Sequence, residues 1–271
     1  MVKLPVGEVE HRWTTGLGAC SVESWGERWS RAIPTPRVVA AGRELGGFGV
    51  PWFVVEKLSG PALSSRLGEG AALELLAAAA DFQAAAMRAA PLVAPPPSPD
   101  WDHAIDHARQ LARAGSVPES QRWNDALKKV QRALPRLAAR WNARPINAWC
   151  HGDLHPGNAL KRVATDPHPD RCVLVDLALV HTGHWLEDAV YFERQFWGHE
   201  DVINGLKPVP TLARLRRERG LPADDNYGDL ALVRRVLMAA CAPQAIEREG
   251  NLKYLHAALA VIERFLPQAA H

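Results

Sequence analysis

Eight residues near the middle of the chain, His151-Gly152-Asp153-Leu154-His155-Pro156-Gly157-Asn158, constrain it more than any others. Pro156-Gly157 is turn chemistry and lets the chain reverse within the run. An aspartate and an asparagine five positions apart are thereby set on one tight loop. An aspartate so placed can accept a proton from a hydroxyl. The asparagine can turn back to hold a metal ion that bridges phosphate groups. The spacing fits the template H-x-D-L-x-x-x-N.

Further signals follow at ordered distances. The apolar run Cys172-Val173-Leu174-Val175 reads as a buried strand and ends in Asp176. Next comes Thr182-Gly183-His184-Trp185-Leu186-Glu187-Asp188-Ala189, a turn that opens a helix with acids in its first turn. With these residues, Trp149 to Phe192 resembles the aminoglycoside phosphotransferase family, a kinase-like group that includes choline and other small-molecule kinases. That family pairs an H-G-D-x-H-x-x-N loop with a strand ending in Asp, then Gly and a later Asp opening a helix. One departure is Asp176-Leu177-Ala178, where protein kinases have D-F-G.

The resemblance implies an α+β, protein-kinase-like fold of two lobes, with a reduced N-terminal β lobe and a mainly helical C-terminal lobe. It implies transfer of the ATP γ-phosphoryl group to a small-molecule hydroxyl, with Mg²⁺. Asp153 would be the catalytic base, and Asn158 and Asp176 the metal ligands. His151, His155 and Asp188 would support the loop.

Composition narrows the remaining classes. With 271 residues the chain can bury a substantial core, and a net charge of +2 gives no global field for nucleic acid or an anionic membrane. Cys20, Cys150, Cys172 and Cys241 lie far apart and form no C-x-x-C pair, so reduced thiols in the cytoplasm are expected. The longest apolar stretch, Ala71 to Met87, is interrupted by Glu74, Asp81 and Gln83 and is no membrane span. The ten tryptophans fall at core-like positions and read as packing.

From the start of the chain, Val2-Lys3-Leu4 reads as a very short strand. The resemblance makes Lys3 the lysine that pairs with ATP phosphates. It also expects two strands and a phosphate-covering loop ahead of that lysine, so it implies a truncated N-terminal lobe. Residues 21–31 read as a helix with the capping pattern Ser24-x-x-Glu27. By resemblance, this helix offers Glu23 or Glu27 to pair with Lys3, with Glu23 preferred. Arg37 to Ala41 and Trp52 to Glu56 read as strands joined by a glycine-rich hairpin turn. In the family, adenine would bond to main-chain groups of Glu56, Lys57 and Leu58.

Residues 62–89 have a strong helix composition, with Leu73, Leu76, Ala80 and Ala84 on one face. Ala94-Pro95-Pro96-Pro97-Ser98-Pro99 is a stiff connector between helices. Helices are expected over 100–114, 119–141, from Asp188 to about Trp197, over 226–240 and over 246–266, and a short strand over 146–150. The expected domains are 1–58, a truncated nucleotide-binding lobe, and 59–271, a helical catalytic and substrate lobe.

Two other classes compete with this reading. One is a degenerate kinase-like protein that binds nucleotide without turnover. The other is a metal hydrolase using His151, Asp153, His155, His181 and His184. The sequence lacks H-E-x-x-H and cysteine pairs, and a hydrolase leaves Asn158 and Asp176 unexplained.

Overall fold

The computed structural model describes residues 1–18, 33–162, 171–244 and 252–270. Its strands are β1 (Val2–Lys3), β2 (Val38–Gly42), β3 (Trp52–Val55), β4 (Ala148–Cys150), β5 (Ala159–Arg162), β6 (Arg171–Leu174) and β7 (His181–Gly183). Its helices are α1 (Glu8–Gly18), α2 (Glu69–Ala89), α3 (Trp101–Arg113) and α4 (Ser120–Asn142), then α5 (Leu186–Arg194), α6 (Pro208–Glu218), α7 (Tyr227–Ala240) and α8 (Leu252–Ala269). They form two compact units. The first comprises Met1–Pro95, Ile146–Tyr191 and Val202–Pro222, and the second comprises Pro96–Pro145, Phe192–Asp201 and Ala223–His271.

In the first unit β1, β3 and β2 make an antiparallel sheet in that order. Alternation along β3 turns Phe53 and Val55 inward, where they meet Val6 and Val38 in a small core. Helix α1 is fixed by Trp13, whose ring lies 4.5 Å from Trp149 and 6.4 Å from Phe82 of α2. Two antiparallel pairs follow. β4 pairs with β7, and β5 with β6, so Ala159 faces Leu174. These pairs carry the chain into and out of the His151–Asn158 loop and on to Asp176.

The second unit is helical. In α4, Trp123, Leu127, Val130, Leu134, Leu137 and Trp141 recur at helical spacing, and all are buried against α3, α7 and α8. Asp100 caps α3 by accepting a hydrogen bond from the His103 N–H at 3.0 Å. Arg234 of α7 lies over the rings of Trp141, at 4.9 Å, and Trp101, at 5.6 Å.

Most of the expected elements are present, with some differences. Leu73 is exposed. Leu76, Ala80 and Ala84 are buried as expected, together with Ala72, Leu75, Ala78, Ala79, Phe82, Gln83 and Ala86. Helix α5 stops at Arg194, helices α1 and α6 and strand β5 add to the expected elements, and Thr182-Gly183, expected as a turn, lies in strand β7 because it pairs with β4. The proline run joins α2 to α3 and also carries the chain from the first unit into the second. The helix expected over 21–31, with Glu23 and Glu27, lies outside the described residues, as does Cys20. Cys172 and Cys241 are free thiols. Burial pushes the Cys172 pKa up to about 12, with the Glu74 charge adding to it, and burial pushes Cys241 up to about 11. Among the described residues no helix is long and apolar enough to cross a membrane.

Candidate active site

The site belongs to the first unit. The chain leaves β4 at Cys150 and enters the loop through His151, which is fully buried. Its Nε2–H donates to the Val175 carbonyl at 3.0 Å, since a carbonyl only accepts, and Nδ1 accepts the Asp153 N–H at 3.3 Å. One imidazole thus ties the loop to the segment that carries Asp176. The pairing requires the neutral ring. Burial drives the His151 pKa below its ordinary 6.5, against the pull of Asp188 and the Val175 carbonyl.

Gly152 has φ +83°, and a Cβ there would run into the Leu179 carbonyl, so a glycine is required. The buried carboxylate of Asp188 accepts the His151 N–H at 2.9 Å and the Gly152 N–H at 3.0 Å. Gln83 Nε2 donates to the same carboxylate at 3.1 Å, and Arg216 of α6 donates to the Gln83 amide oxygen. Arg216 is itself fully buried, with further bonds to the carbonyls of Asn147 and Pro222. A continuous polar chain therefore runs from α6 through α2 to the loop backbone.

On this support Asp153 is held at both oxygens. Tyr191 Oη donates to Oδ1 at 2.5 Å, and Asn158 Nδ2 donates to Oδ2 at 3.0 Å and to the Asp153 carbonyl at 3.1 Å. His155 accepts the Gly157 N–H at Nδ1, 3.0 Å away, and its Nε2 lies 3.5 Å from Asp153 Oδ2. Tyr191 was not anticipated from the sequence, although its position three residues after Asp188 puts it on the same face of α5.

Asp176 has left-handed backbone angles, φ 59° and ψ 64°, unusual for a residue with a side chain. The Val175 N–H donates to the Asn158 carbonyl at 2.9 Å, which brings Asp176 beside Asn158. From the far end of the sequence, Lys3 Nζ reaches Asp176 Oδ1 at 3.4 Å and Glu10 Oε1 at 2.6 Å. Burial alone pulls the Lys3 pKa down. The Glu10 hydrogen bond and charge, with Asp176 adding to them, more than reverse this and leave it raised. The observed partner of Lys3 is thus Glu10 of α1, a residue not singled out in the sequence.

Lys3, Glu10, Asn158 and Asp176 line one cleft of about 320 Å³, and Asp153 is not among its lining residues. Phe53, Val55 and Leu174 contribute apolar surface, and Lys3, Glu10, Asn158 and Asp176 contribute polar surface. Just beyond Val55, the Glu56 carboxylate is engaged by the Arg37 N–H at 2.8 Å and by the guanidinium groups of Arg37 and Arg162. The Glu56 N–H donates to the Arg37 carbonyl at 2.9 Å. Glu56, Lys57 and Leu58, expected to meet a base through their main chain, follow Val55 of the cleft wall and are not among the lining residues.

His151 has a consequence for stability. Its folded pKa lies below its unfolded value, so the unfolded chain binds the extra proton first. Its contribution is complete above about pH 6.5 and is lost as pH falls towards the folded value, by at most ~1.4 kcal/mol per pH unit. His181 acts on the other limb. Burial, the largest single influence, lowers its pKa, but the Glu187 hydrogen bond and charge, the Leu179 carbonyl and the Asp188 charge together outweigh it and leave the pKa raised. Its contribution is complete below about pH 6.5 and is lost as pH rises through the raised value. Denaturant unfolding across this range should show a smaller acid slope in His151→Gln than in the wild type. Equal slopes would contradict the assignment.

The profile of the phosphotransferase enzyme family matches residues 10–214. No curated protein gives a significant sequence match. Among solved structures, a choline/ethanolamine kinase family protein from Mesorhizobium loti is similar, with TM-score 0.55 and 14% identity over 99% of this chain and 84% of that one. An aminoglycoside phosphotransferase from Alicyclobacillus acidocaldarius has TM-score 0.53 and 16% identity, covering 99% and 84%. A thermostable mutant of the aminoglycoside phosphotransferase APH(4)-Ia, in ternary complex with AMP-PNP and hygromycin B, has TM-score 0.51 and 17% identity, covering 99% and 86%. These likenesses establish the protein-kinase-like fold, and the family match extends across most of the sequence. The chain belongs to the phosphotransferase enzyme family.

Proposed function

We propose that this protein transfers the γ-phosphoryl group of ATP to a hydroxyl of a small molecule. The observation that carries the reading is the Lys3–Asp176 contact, which brings a cation and a carboxylate 173 positions apart into the cleft that Asn158 also lines. The donor set fits Mg²⁺: one carboxylate and one amide in an open cleft, with room for phosphate oxygens and water. Asp176 and Asn158 would hold the ion, which would supply charge neutralisation to the phosphates.

The chain's own residues have separable roles. Lys3, oriented by Glu10, donates to phosphate oxygens. The apolar walls at Phe53, Val55 and Leu174 receive the base, and the main chain from Glu56 to Leu58 offers its polar partners. Asp153 accepts the proton of the acceptor hydroxyl as that oxygen bonds to the γ-phosphorus. The bond from the γ-phosphorus to the bridging oxygen breaks, and ADP leaves. Tyr191 and Asn158 fix the carboxylate, and His151, His155 and Asp188 hold the loop in shape. Residues 1–58 would serve as the nucleotide lobe and 59–271 as the catalytic and acceptor lobe. The buried thiols Cys150 and Cys172 suit a reducing cytoplasm.

An acceptor of small size is supported by two similar folds, one titled as a choline/ethanolamine kinase family protein and one in complex with hygromycin B. The test is incubation with Mg·ATP and a panel of amino alcohols, sugars and aminoglycosides, followed by mass analysis. One class should gain a phosphoryl group as ADP appears. Binding of Mg·ATP with no transfer to any hydroxyl in the panel would favour a nucleotide-binding protein without turnover.

A further inference from the structure

Immediately outside the loop, and away from the cleft, a second cluster has no part in the proposed reaction. Cys150 and His181 stand opposite each other in the β4–β7 ladder, so their side chains share one face of the pair. Glu187, in the first turn of α5, completes the group. One ligand atom from each of Cys150, His181 and Glu187 lies within 4.8 Å of the others. We propose that these three side chains form a Zn²⁺ site.

Several observations support it. The His181 Nδ1–H donates to the Leu179 carbonyl at 2.8 Å, which fixes the tautomer and leaves Nε2 as the ligating nitrogen. This is how protein-bound metals commonly orient their histidines. Nε2 already faces Glu187 Oε2, at 3.4 Å. The other carboxylate oxygen accepts the His184 N–H at 3.0 Å, which steadies Glu187. A Cβ on Gly183 would overlap Glu187 Oε1 and come within 3.2 Å of Cys150 Sγ, so the glycine keeps the space between the ligands open. Cys150 is fully buried, while the His181 side chain is 26% exposed and gives an ion a way in.

The chemistry selects the metal. A thiolate, an imidazole and a carboxylate suit Zn²⁺, whereas Mg²⁺ prefers oxygen alone. On binding, the Cys150 thiol gives its proton to solvent and exchanges its contact with the His184 carbonyl, now 3.3 Å away, for the metal. Three protein ligands leave a fourth position for water. Cys150 directly precedes His151, and Glu187 directly precedes Asp188. The ion would therefore clip together the strand and helix whose next residues carry the loop's backbone bonds. The site is independent of ATP, so its failure leaves the phosphotransfer reading untouched.

The experiment titrates the reduced, metal-free full chain with Co²⁺ and then displaces it with Zn²⁺. The expected result is a near-ultraviolet thiolate-to-cobalt band that saturates at one equivalent and disappears on adding Zn²⁺. The band should be lost in Cys150→Ser and kept in Cys241→Ser and Asp176→Ala. Zn²⁺ should raise the unfolding midpoint of the wild type and not that of Cys150→Ser. If Cys150→Ser does not fold, His181→Asn, altered at a partly exposed position, carries the test through loss of saturable binding. No band in the wild type, or a band that persists in Cys150→Ser or His181→Asn, overturns the proposal.

Discussion

Asp153→Asn lowers turnover of the identified acceptor by roughly 10²–10⁴-fold, the usual contribution of a positioned general base. The carboxylate is held by Tyr191 at one oxygen and by Asn158 at the other. An amide in its place can still accept the Tyr191 hydroxyl. Its NH₂ group then faces the Asn158 NH₂, two donors without an acceptor between them, and it cannot take up a proton. The loop backbone is held separately, by Asp188 and His151, so the unfolding midpoint should change little. Turnover at the wild-type rate in this variant would remove Asp153 from the reaction.

Asp188→Ala acts chiefly through stability and should cost about 3–5 kcal/mol. It strips the acceptor from two buried donors, the His151 N–H and Gln83 Nε2, and from the half-buried Gly152 N–H. Each orphaned donor costs roughly 1–3 kcal/mol. The change also removes the carboxylate at the end of the chain that leads through Gln83 to the buried Arg216, and a buried cation that loses its compensating charge adds to the penalty. Asp188→Asn keeps an acceptor oxygen and should lose distinctly less. Denaturant unfolding of the two variants measures the difference. A loss below about 1 kcal/mol in Asp188→Ala would mean that the network is not a support.

The turn from His151 to Asn158 and the strand end at Asp176 were legible because their spacing follows from covalent chain geometry: a turn, a hairpin and a strand end. The partner of Lys3 was not. The buried face of α1 includes Glu10, His11 and Thr14, while Val9 is exposed, so apolar periodicity gives no sign of this helix. Arg216 was hidden for a similar reason. It sits in an arginine-rich run with Arg214, Arg217 and Arg219, which points to a solvated surface, yet its side chain is enclosed by Gln83 and by carbonyls from elsewhere in the chain. Gln83 reads as an interruption of an alanine-rich face and is its polar anchor. Leu73 shows the converse. Where most positions are Ala or Leu, composition specifies a helix but leaves its rotation open, and the packing of Phe82 and Leu76 decides it.

Lys3, Asn158 and Asp176 are proposed to form a working Mg·ATP site, which thermal unfolding of the 271-residue chain with and without Mg·ATP can decide. At a hundred times Kd, binding adds roughly 2.7 kcal/mol, which for a chain of this size raises the midpoint by several degrees. The expected result is a rise that requires both Mg²⁺ and ATP and disappears in Asp176→Ala. A well-folded wild type with no rise, or an Asp176→Ala variant with the full rise, would contradict it.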